Sequence, residues 1–540
     1  MQNFIPNTCI DLLFDYVSMM KQQKIYLPEE AKNKRVAIVG AGIAGLCSAF
    51  ELLKLGIKPS IFEASDRIGG RACTQHFDIA GKKEKPFAEL GAMRIPASSA
   101  IFRYYACSLG VTLKELFPDP RIDHTTVYFN NTCYDWTAGT PLPPPLDEID
   151  YHWKKLINPI FDDIYSSWKL NDIDSVRQKW QKYIDTYKNR SLYEVLRSNI
   201  PMHNETDLIQ YFGAIGFGAG GLSSLYYVNF LEILRVLINA YDSNHYLLKN
   251  GISDFLNLFY TTPLQDNLSL SDINSLQLNT VVICIDYNRA SGKPVITYRN
   301  EVTKETTIKE FDAVIYTGTT SAAHLLNLSL QSPNGEYIFD KNVRTAIRSS
   351  HMVAASKTFI CTKDKFWKRM NIPRCLITDE LPRAMYFLDY PNIEEGIVCL
   401  SYSWGMDSQR LQAVSPEHRV IIFRRIIERI NSNLARELIP VNDEVINIDW
   451  FNVKYQNGAF KLLPPGYEHL QQKLYYQFKS CLSHEDKGIY LAGDCISWSG
   501  GWIEGAMYTA LNSFYSVCKR FGAEFSHTTP LDQNEDLFYY

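Results

Sequence analysis

The sequence predicts an α/β fold: a Rossmann-like nucleotide-binding domain assembled from separated stretches, joined to a mixed α+β domain and a helical insertion. Three observations predict it. Residues 35–63 read as strand, helix, strand; two more short apolar strands lie far downstream at 311–316 and 488–491; and residues 160–187 keep helical spacing. Strands alternating with helices are the pattern of a largely parallel sheet with helices on its faces.

Arg35-Val36-Ala37-Ile38-Val39 reads as a buried parallel strand, and Leu46, Phe50 and Leu53 after it recur at i, i+4 and i+7 of a helix. Pro59 to Glu63 is the second strand. Pro141, Pro143, Pro144 and Pro145 mark a linker. Beyond it Ile160, Ile164 and Trp168, then Val176, Trp180, Ile184 and Tyr187, read as helices whose tryptophans pack a core. Residues 278–300 alternate apolar and polar as a β-hairpin does, and Phe311 to Tyr316 is a strand running on to Gly318. Residues 417–436 return to helical periodicity. Gly488 to Leu491 is a strand entering Ala492-Gly493-Asp494, with a helix from about Glu504.

At 540 residues the chain is too long for one hydrophobic core, so several domains are expected. Its 46% hydrophobic and 21% charged content is that of a globular protein. A net charge of -4 gives no field to attract nucleic acid. Twelve cysteines without close pairing argue for reduced thiols and a cytoplasmic location rather than a disulfide framework. No H-E-x-x-H occurs, and no metal is expected. Asp11 and Asp15 interrupt the N-terminal apolar stretch, which argues against a signal peptide. The uncharged run Val36 to Phe50 falls short of the roughly 20 residues a span needs, so no membrane partner is expected.

Gly40-Ala41-Gly42-Ile43-Ala44-Gly45 fits G-x-G-x-x-G between strand and helix. The first glycine allows the turn, the second admits a pyrophosphate, and the third lets helix and strand pack closely. Phosphate would then meet the unsatisfied N–H groups at the helix start. Glu63, followed by Ala64, stands 23 residues after Gly40, near the about 20 expected of a carboxylate that binds ribose hydroxyls. The glycine-rich run Gly213 to Gly221 lacks the Gly-Lys-Ser/Thr ending of a phosphate loop and reads as close backbone packing.

Three further segments narrow the class: Asp66-Arg67-Ile68-Gly69-Gly70-Arg71, Tyr490-Leu491-Ala492-Gly493-Asp494 and Ala88-Glu89-Leu90-Gly91-Ala92-Met93-Arg94-Ile95-Pro96. With them the chain resembles the flavin amine oxidase family, in its branch of L-amino acid oxidases and amino-acid 2-monooxygenases, above all those acting on tryptophan. Phe117-Pro118-Asp119-Pro120, Gly218-Ala219-Gly220-Gly221 with Phe230 to Arg235, Ser356 to Phe359, Ser401 to Trp404, Gly458 to Leu462, Gly500 to Ala506 and Pro530-Leu531-Asp532 extend the likeness over most of the chain.

The resemblance implies the amine oxidase fold and FAD as cofactor. Gly40, Gly42, Ala44, Gly45, Glu63 and Ala64 would hold one part of it. Arg67, Gly70, Arg71 and the Gly91-Ala92-Met93-Arg94 segment would embrace another, and Val282, Gly493, Asp494, Trp502 and Ile503 would complete the site. Ala459 stands where relatives that attach flavin carry cysteine, which implies a non-covalent cofactor. Arg94 would bind the substrate carboxylate, since a planar guanidinium pairs with it through two charge-assisted bonds. Tyr402 would share that carboxylate, and Lys357 would sit near flavin N5 through a water. Trp404, Trp450, Phe460 and Trp502 would line the pocket, with the amine near the Gly501 backbone.

Each has an ordinary alternative: Tyr402 and Trp404 as strand aromatics, Trp450 as core, Lys357 as a lysine that needs a polar partner in an apolar strand. The implied division is 1–33 an N-terminal helical segment, with FAD-binding parts at 34–72, 245–345 and 478–525. Substrate-domain parts fall at 73–140 and 346–477, a helical insertion at 141–244 and a tail at 526–540. The implied reaction is hydride transfer from Cα of an aromatic L-amino acid to N5, followed by O₂. An imino acid that stays is decarboxylated to the amide, from tryptophan indole-3-acetamide. One that escapes gives keto acid, ammonia and peroxide. A non-catalytic flavin scaffold is the third reading, against which Arg94, Lys357 and Tyr402 argue. The resemblance also leaves room for a homodimer.

Overall fold

Val36–Val39 is a strand buried at every position, as a strand covered on both faces by helices must be. It lies third in a five-stranded sheet ordered Leu276–Gln277, Ser60–Phe62, Val36–Val39, Ala313–Tyr316 and Ile489–Leu491, parallel throughout. In this computed structural model the described residues are 14–533 apart from 83, 121–122, 138, 145, 201–204, 216–221, 243 and 334. Every strand expected from the pattern near residues 35–63, 311–316 and 488–491 is present, one or two residues shorter. The two-residue edge strand Leu276–Gln277 is too short to carry a pattern.

Two helices pack on this sheet. Ile43–Lys54 is buried at every residue but Lys54, and Ile503–Arg520 is buried from Glu504 to Cys518. A helix enclosed on all sides must satisfy its polar side chains internally. Thr509 Oγ1 accepts from the Gly493 amide, Ser513 Oγ donates to the Leu491 carbonyl, and Asn512 Oδ1 accepts from the Tyr16 hydroxyl. That last bond docks the N-terminal helix Tyr16–Gln22, capped by Asp15.

A second sheet has seven strands, ordered Val445–Asp449, Ala355–Thr362, Gly396–Trp404, Ala384–Leu388, Cys375–Thr378, Thr125–Phe129 and Thr132–Trp136. Its pairings are antiparallel save for Cys375–Thr378 on Thr125–Phe129. The expected hairpin is Thr280–Asn288 paired with Lys293–Asn300, extended by Thr306–Glu310.

Between the sheets in sequence come the helices Leu146–Lys169, Ile173–Tyr187, Leu192–Asn199, Glu205–Ile215 and Phe230–Ile238. Trp180 is fully enclosed in their shared core and Trp168 packs against it, so these tryptophans do pack a core. Pro141, Pro143 and Pro144 stand in the irregular segment before Leu146. Gly213 lies in the helix Glu205–Ile215 at a close approach, where a Cβ would meet Tyr226 Oη at 2.7 Å. Pro145, residues 1–13, the Gly218–Gly221 motif and 534–540 lie outside the described residues. The helix expected over 417–436 is two, Pro416–Ile430 and Ser432–Glu437. Asn431 leaves the first in an extended conformation and caps the second through Leu434 N–H. Among the described residues no helix is long and apolar enough to cross a membrane.

The glycines of the first turn divide their tasks. A Cβ on Gly45 would lie 2.0 Å from the Gly40 carbonyl oxygen, whereas one on Gly42 would meet only the Gly69 oxygen at 3.9 Å, at an ordinary φ of -72°. Gly45→Ala is therefore expected to cost about 1–3 kcal/mol through overpacking and to lower the thermal unfolding midpoint, whereas Gly42→Ala leaves it near wild type. Equal midpoints for the two variants would contradict this division.

Candidate active site

The carboxyl ends of the parallel strands open into a cavity of about 570 Å³, the position where open α/β sheets bind ligands. Gly40, Gly42, Ile43 and Ala44 line it at the start of the Ile43–Lys54 helix, which has no side-chain cap. Its first N–H groups thus remain available to an anion. Glu63 and Ala64 line the same end. Glu63 is buried, with Oε2 accepting from the Ala41 amide at 2.7 Å and Oε1 from the Ser65 amide at 2.9 Å. Oε1 also accepts from the Ser65 hydroxyl at 2.7 Å, so Oε2 is the oxygen that keeps a second lone pair for a hydroxyl donor.

The loop after Glu63 closes onto this turn. The Gly69 amide donates to the Ala41 carbonyl at 2.8 Å, and Gly70 lines the cavity. Arg67 and Gly45 do not line it. Arg67 donates to the carbonyls of Ile68 and Gly70 and shapes the loop itself, while Gly45 lies against Gly40. Arg71 reaches across the cavity: one guanidinium nitrogen donates to the Ala459 carbonyl at 2.9 Å and to Asp494 Oδ2 at 3.0 Å. Burial penalises its charge, but the Asp494 carboxylate prevails and shifts the guanidinium further toward the charged form. Asp494 Oδ2 also accepts from the Gly501 amide at 3.2 Å. Val282 and Gly493 complete this part of the lining.

Strand register builds the other part. Lys357 pairs directly with Tyr402, and Ala355 with Trp404, across the antiparallel strands Ala355–Thr362 and Gly396–Trp404. Side chains two apart share a sheet face, and all four line the cavity. Lys357 is buried, and Nζ donates to the carbonyls of Gly91 at 2.6 Å and Glu89 at 3.1 Å, 4.9 Å above the Tyr402 ring. Burial, assisted by the nearby Arg94 charge, brings its pKa down to about 8. Burial also raises the Tyr402 hydroxyl pKa, so the phenol stays a donor.

Gly91, Ala92, Met93 and Arg94 all line the cavity, and the Arg94 guanidinium lies 5.6 Å over the Phe117 ring. Trp450 is almost wholly enclosed, yet its edge lines the cavity, and its indole N–H donates to the Leu90 carbonyl at 2.9 Å. Trp404 stands edge-on between Tyr402 at 5.4 Å and Phe460 at 5.6 Å. Gly501 adopts φ +81°, with room for no side chain, since a Cβ would sit 3.0 Å from Phe460 Cβ. Trp502 and Ile503 line the wall beside it.

Sequence reasoning missed part of the lining. Leu222, Leu225, Ile233, Val236, Tyr241 and Asp242 close the cavity from the helical insertion. Their spacing is that of ordinary core residues, and the Phe230 to Arg235 run was noted only as a likeness. Thr317, Gly318 and Thr319 line it too, and the glycine ending a buried strand was the available signal.

The model of the family described as flavin containing amine oxidoreductase matches residues 43–513. The tryptophan 2-monooxygenase of Pseudomonas savastanoi is 31% identical, covering 98% of this chain and 99% of that protein. The tryptophan 2-monooxygenase of Pantoea agglomerans pv. gypsophilae is likewise 31% identical, covering 98% of each. Among solved structures, putrescine oxidase bound to putrescine superposes with a TM-score of 0.67 at 16% identity, over 89% of this chain and 98% of that one, a likeness of fold. The parallel sheet with its glycine turn, the second sheet with its buried lysine, and these matches converge: the chain belongs to the flavin-containing amine oxidoreductases, has their fold, and is a flavin-dependent oxidoreductase.

Proposed function

We propose that this chain is a tryptophan 2-monooxygenase. It binds FAD without a covalent link and converts L-tryptophan and O₂ to indole-3-acetamide, CO₂ and water. The observation that carries the reading is a guanidinium, a buried lysine and a phenol gathered in one aromatic-walled cavity that also receives the glycine-rich turn. Two relatives named for tryptophan support the side-chain preference.

The residues present fit FAD. The cavity volume lies within the range of about 300–1,000 Å³ typical of ligand sites. Gly42 and Gly70 face it without side chains, and an uncapped helix start and a carboxylate stand at the end of the first two strands. Among the described residues no cysteine or histidine lines the cavity, so attachment through sulfur or imidazole has no candidate. We assign residues 34–72, 245–345 and 478–525 to the cofactor half and 73–140 with 346–477 to the substrate half. When bound, the flavin supplies the acceptor for a hydride from Cα and the route for its electrons to O₂.

The chain's own groups then bind and orient. Arg94 grips the carboxylate bidentately, and the Tyr402 hydroxyl donates to the same group. Trp404, Phe460 and Trp502 present faces and edges to the indole, each ring pair worth about 0.5–1.5 kcal/mol beyond burial. Lys357, fixed on two carbonyls, holds or releases a proton at Nζ near neutral pH. Retention of the imino acid in this cavity favours the amide over the keto acid.

Mixing the holoenzyme with L-tryptophan under argon is expected to bleach the flavin, and admitting O₂ to release indole-3-acetamide. Recovery of keto acid and peroxide alone would replace the monooxygenase with an oxidase. Gly42→Ala is expected to fold but purify with little flavin. In Arg94→Ala, kcat/KM for L-tryptophan should fall by about thirtyfold or more, because losing one partner of a charge pair enclosed on binding costs about 2–5 kcal/mol. Unchanged turnover would remove the anchor. Lys357 is protonated below about 8 and neutral above it. If Nζ accepts a proton, kcat/KM rises with pH through that region, and Lys357→Met loses this limb. An unaltered profile in the variant would assign the limb to another group.

A further inference from the structure

Behind Trp502 lies a pair of side chains that contact neither the cavity nor solvent. Asp119 and His245 are both almost wholly buried, with Asp119 Oδ2 3.1 Å from His245 Nδ1. His245 Nε2 lies 2.9 Å from the Tyr241 carbonyl oxygen. Both ring nitrogens therefore face acceptors. Each contact is a hydrogen bond that fixes the ring's orientation from one side.

The imidazole plane is parallel to the Trp502 indole, 2° apart with centroids at 6.1 Å. Tyr241, whose carbonyl the imidazole holds, rests its own ring on Trp502 at 5.3 Å. On its other side His245 belongs to the strand His245–Leu247, paired antiparallel with Ile95–Pro96 directly after Arg94. The His245 carbonyl accepts from the Phe117 amide at 3.1 Å, and Phe117 is the ring beneath the Arg94 guanidinium. His245 thus meets the support of Arg94 through its backbone and the Trp502–Tyr241 wall through its ring.

We propose that Asp119 and His245 form a hydrogen-bonded positioning pair that fixes the spacing between Arg94 and the Trp502–Tyr241 wall, and with it the presentation of substrate Cα. The proposal rests on the reading of Arg94 and Trp502 as substrate contacts. Neither member touches substrate, and both act through those residues. A buried hydrogen-bonded pair suits this task, since an unpaired group there carries a heavy desolvation cost and alternative placements of the ring are excluded.

The test uses the holoenzyme with Asp119→Ala and Asp119→Asn. The asparagine amide donates to Nδ1 while Nε2–H still reaches Tyr241, so both contacts survive. Asp119→Ala is expected to shift the Trp502 and Tyr241 rings in crystal structures. It should also slow the limiting rate of anaerobic flavin reduction by L-tryptophan about tenfold or more, with substrate affinity and flavin content near wild type. Asp119→Asn is expected to restore both ring position and rate. Unmoved rings in Asp119→Ala overturn the proposal, as do displaced rings with a wild-type reduction rate. A failure of any amino acid to bleach the wild-type flavin strikes instead at the proposed function, and the crystallographic comparison then still decides whether the pair sets the spacing.

Discussion

A lysine on the enclosed face of the Ala355–Thr362 strand has to find acceptors where water is excluded, and it finds them on one short segment. Lys357 takes the carbonyls of Glu89 and Gly91, and the Trp450 indole takes the carbonyl of Leu90 between them. Three consecutive carbonyls are thereby held by side chains of the second sheet. From the opposite side the Ala92 amide bonds the Arg71 carbonyl, and Gly91 packs so closely there that a Cβ would lie 1.6 Å from that oxygen. Arg94 follows three residues later. Its place is set by a desolvated ammonium that would be costly to leave unpaired.

The same economy of contacts joins separated segments of the cavity wall. Arg71 comes from the loop after the second parallel strand, Asp494 from the end of the last, and Ala459 from the bend before the short strand Phe460–Lys461. Their bonds, with Gly501 on Asp494, bring residues more than four hundred positions apart to one point. Arg71 and Asp494 compensate each other as an ion pair, so loss of either side chain leaves the other without compensation.

These particulars explain how much was readable in the chain. The parallel strands, the glycine turn and Glu63 were legible because each obeys a local rule of backbone space or side-chain period, and the helix starting at Ile503 came within one residue. Lys357 and Tyr402 were legible as candidates, but their pairing was not. Register between strands forty residues apart depends on turns and bulges, including the one between Thr358 and Phe359. Arg67 and Gly45 show the converse. Both belong to the motif, yet the structure gives them to the loop's own shape and to helix packing, which a motif cannot distinguish from contact with a ligand. The break at Asn431 was hidden because helical periodicity continues through it.

The cavity wall from the helical insertion was the least legible part, for a general reason. Periodicity reports that a helix face is buried and says nothing of what buries it. Ile233 and Val236 stand at i and i+3, as do Leu222 and Leu225, a spacing shared by core and pocket alike. What separates them is a nearby set of charges. Arg235 pairs with Glu232 on its own helix and with Glu468, and Glu232 also accepts from the Leu463 amide. Lys461 completes the group, its ammonium donating to the Ser497 carbonyl. All four are buried, an arrangement that adds little stability over an apolar core but restricts how the elements can dock. It ties the insertion helix to Phe460 and to the loop bearing Gly501, so the apolar wall of the cavity is indexed to the strands that carry its polar groups. In the proposed enzyme, selectivity for side chains and fixation of Cα can then vary separately: the first by exchanging aliphatic residues on one helix face, the second by leaving the charges untouched.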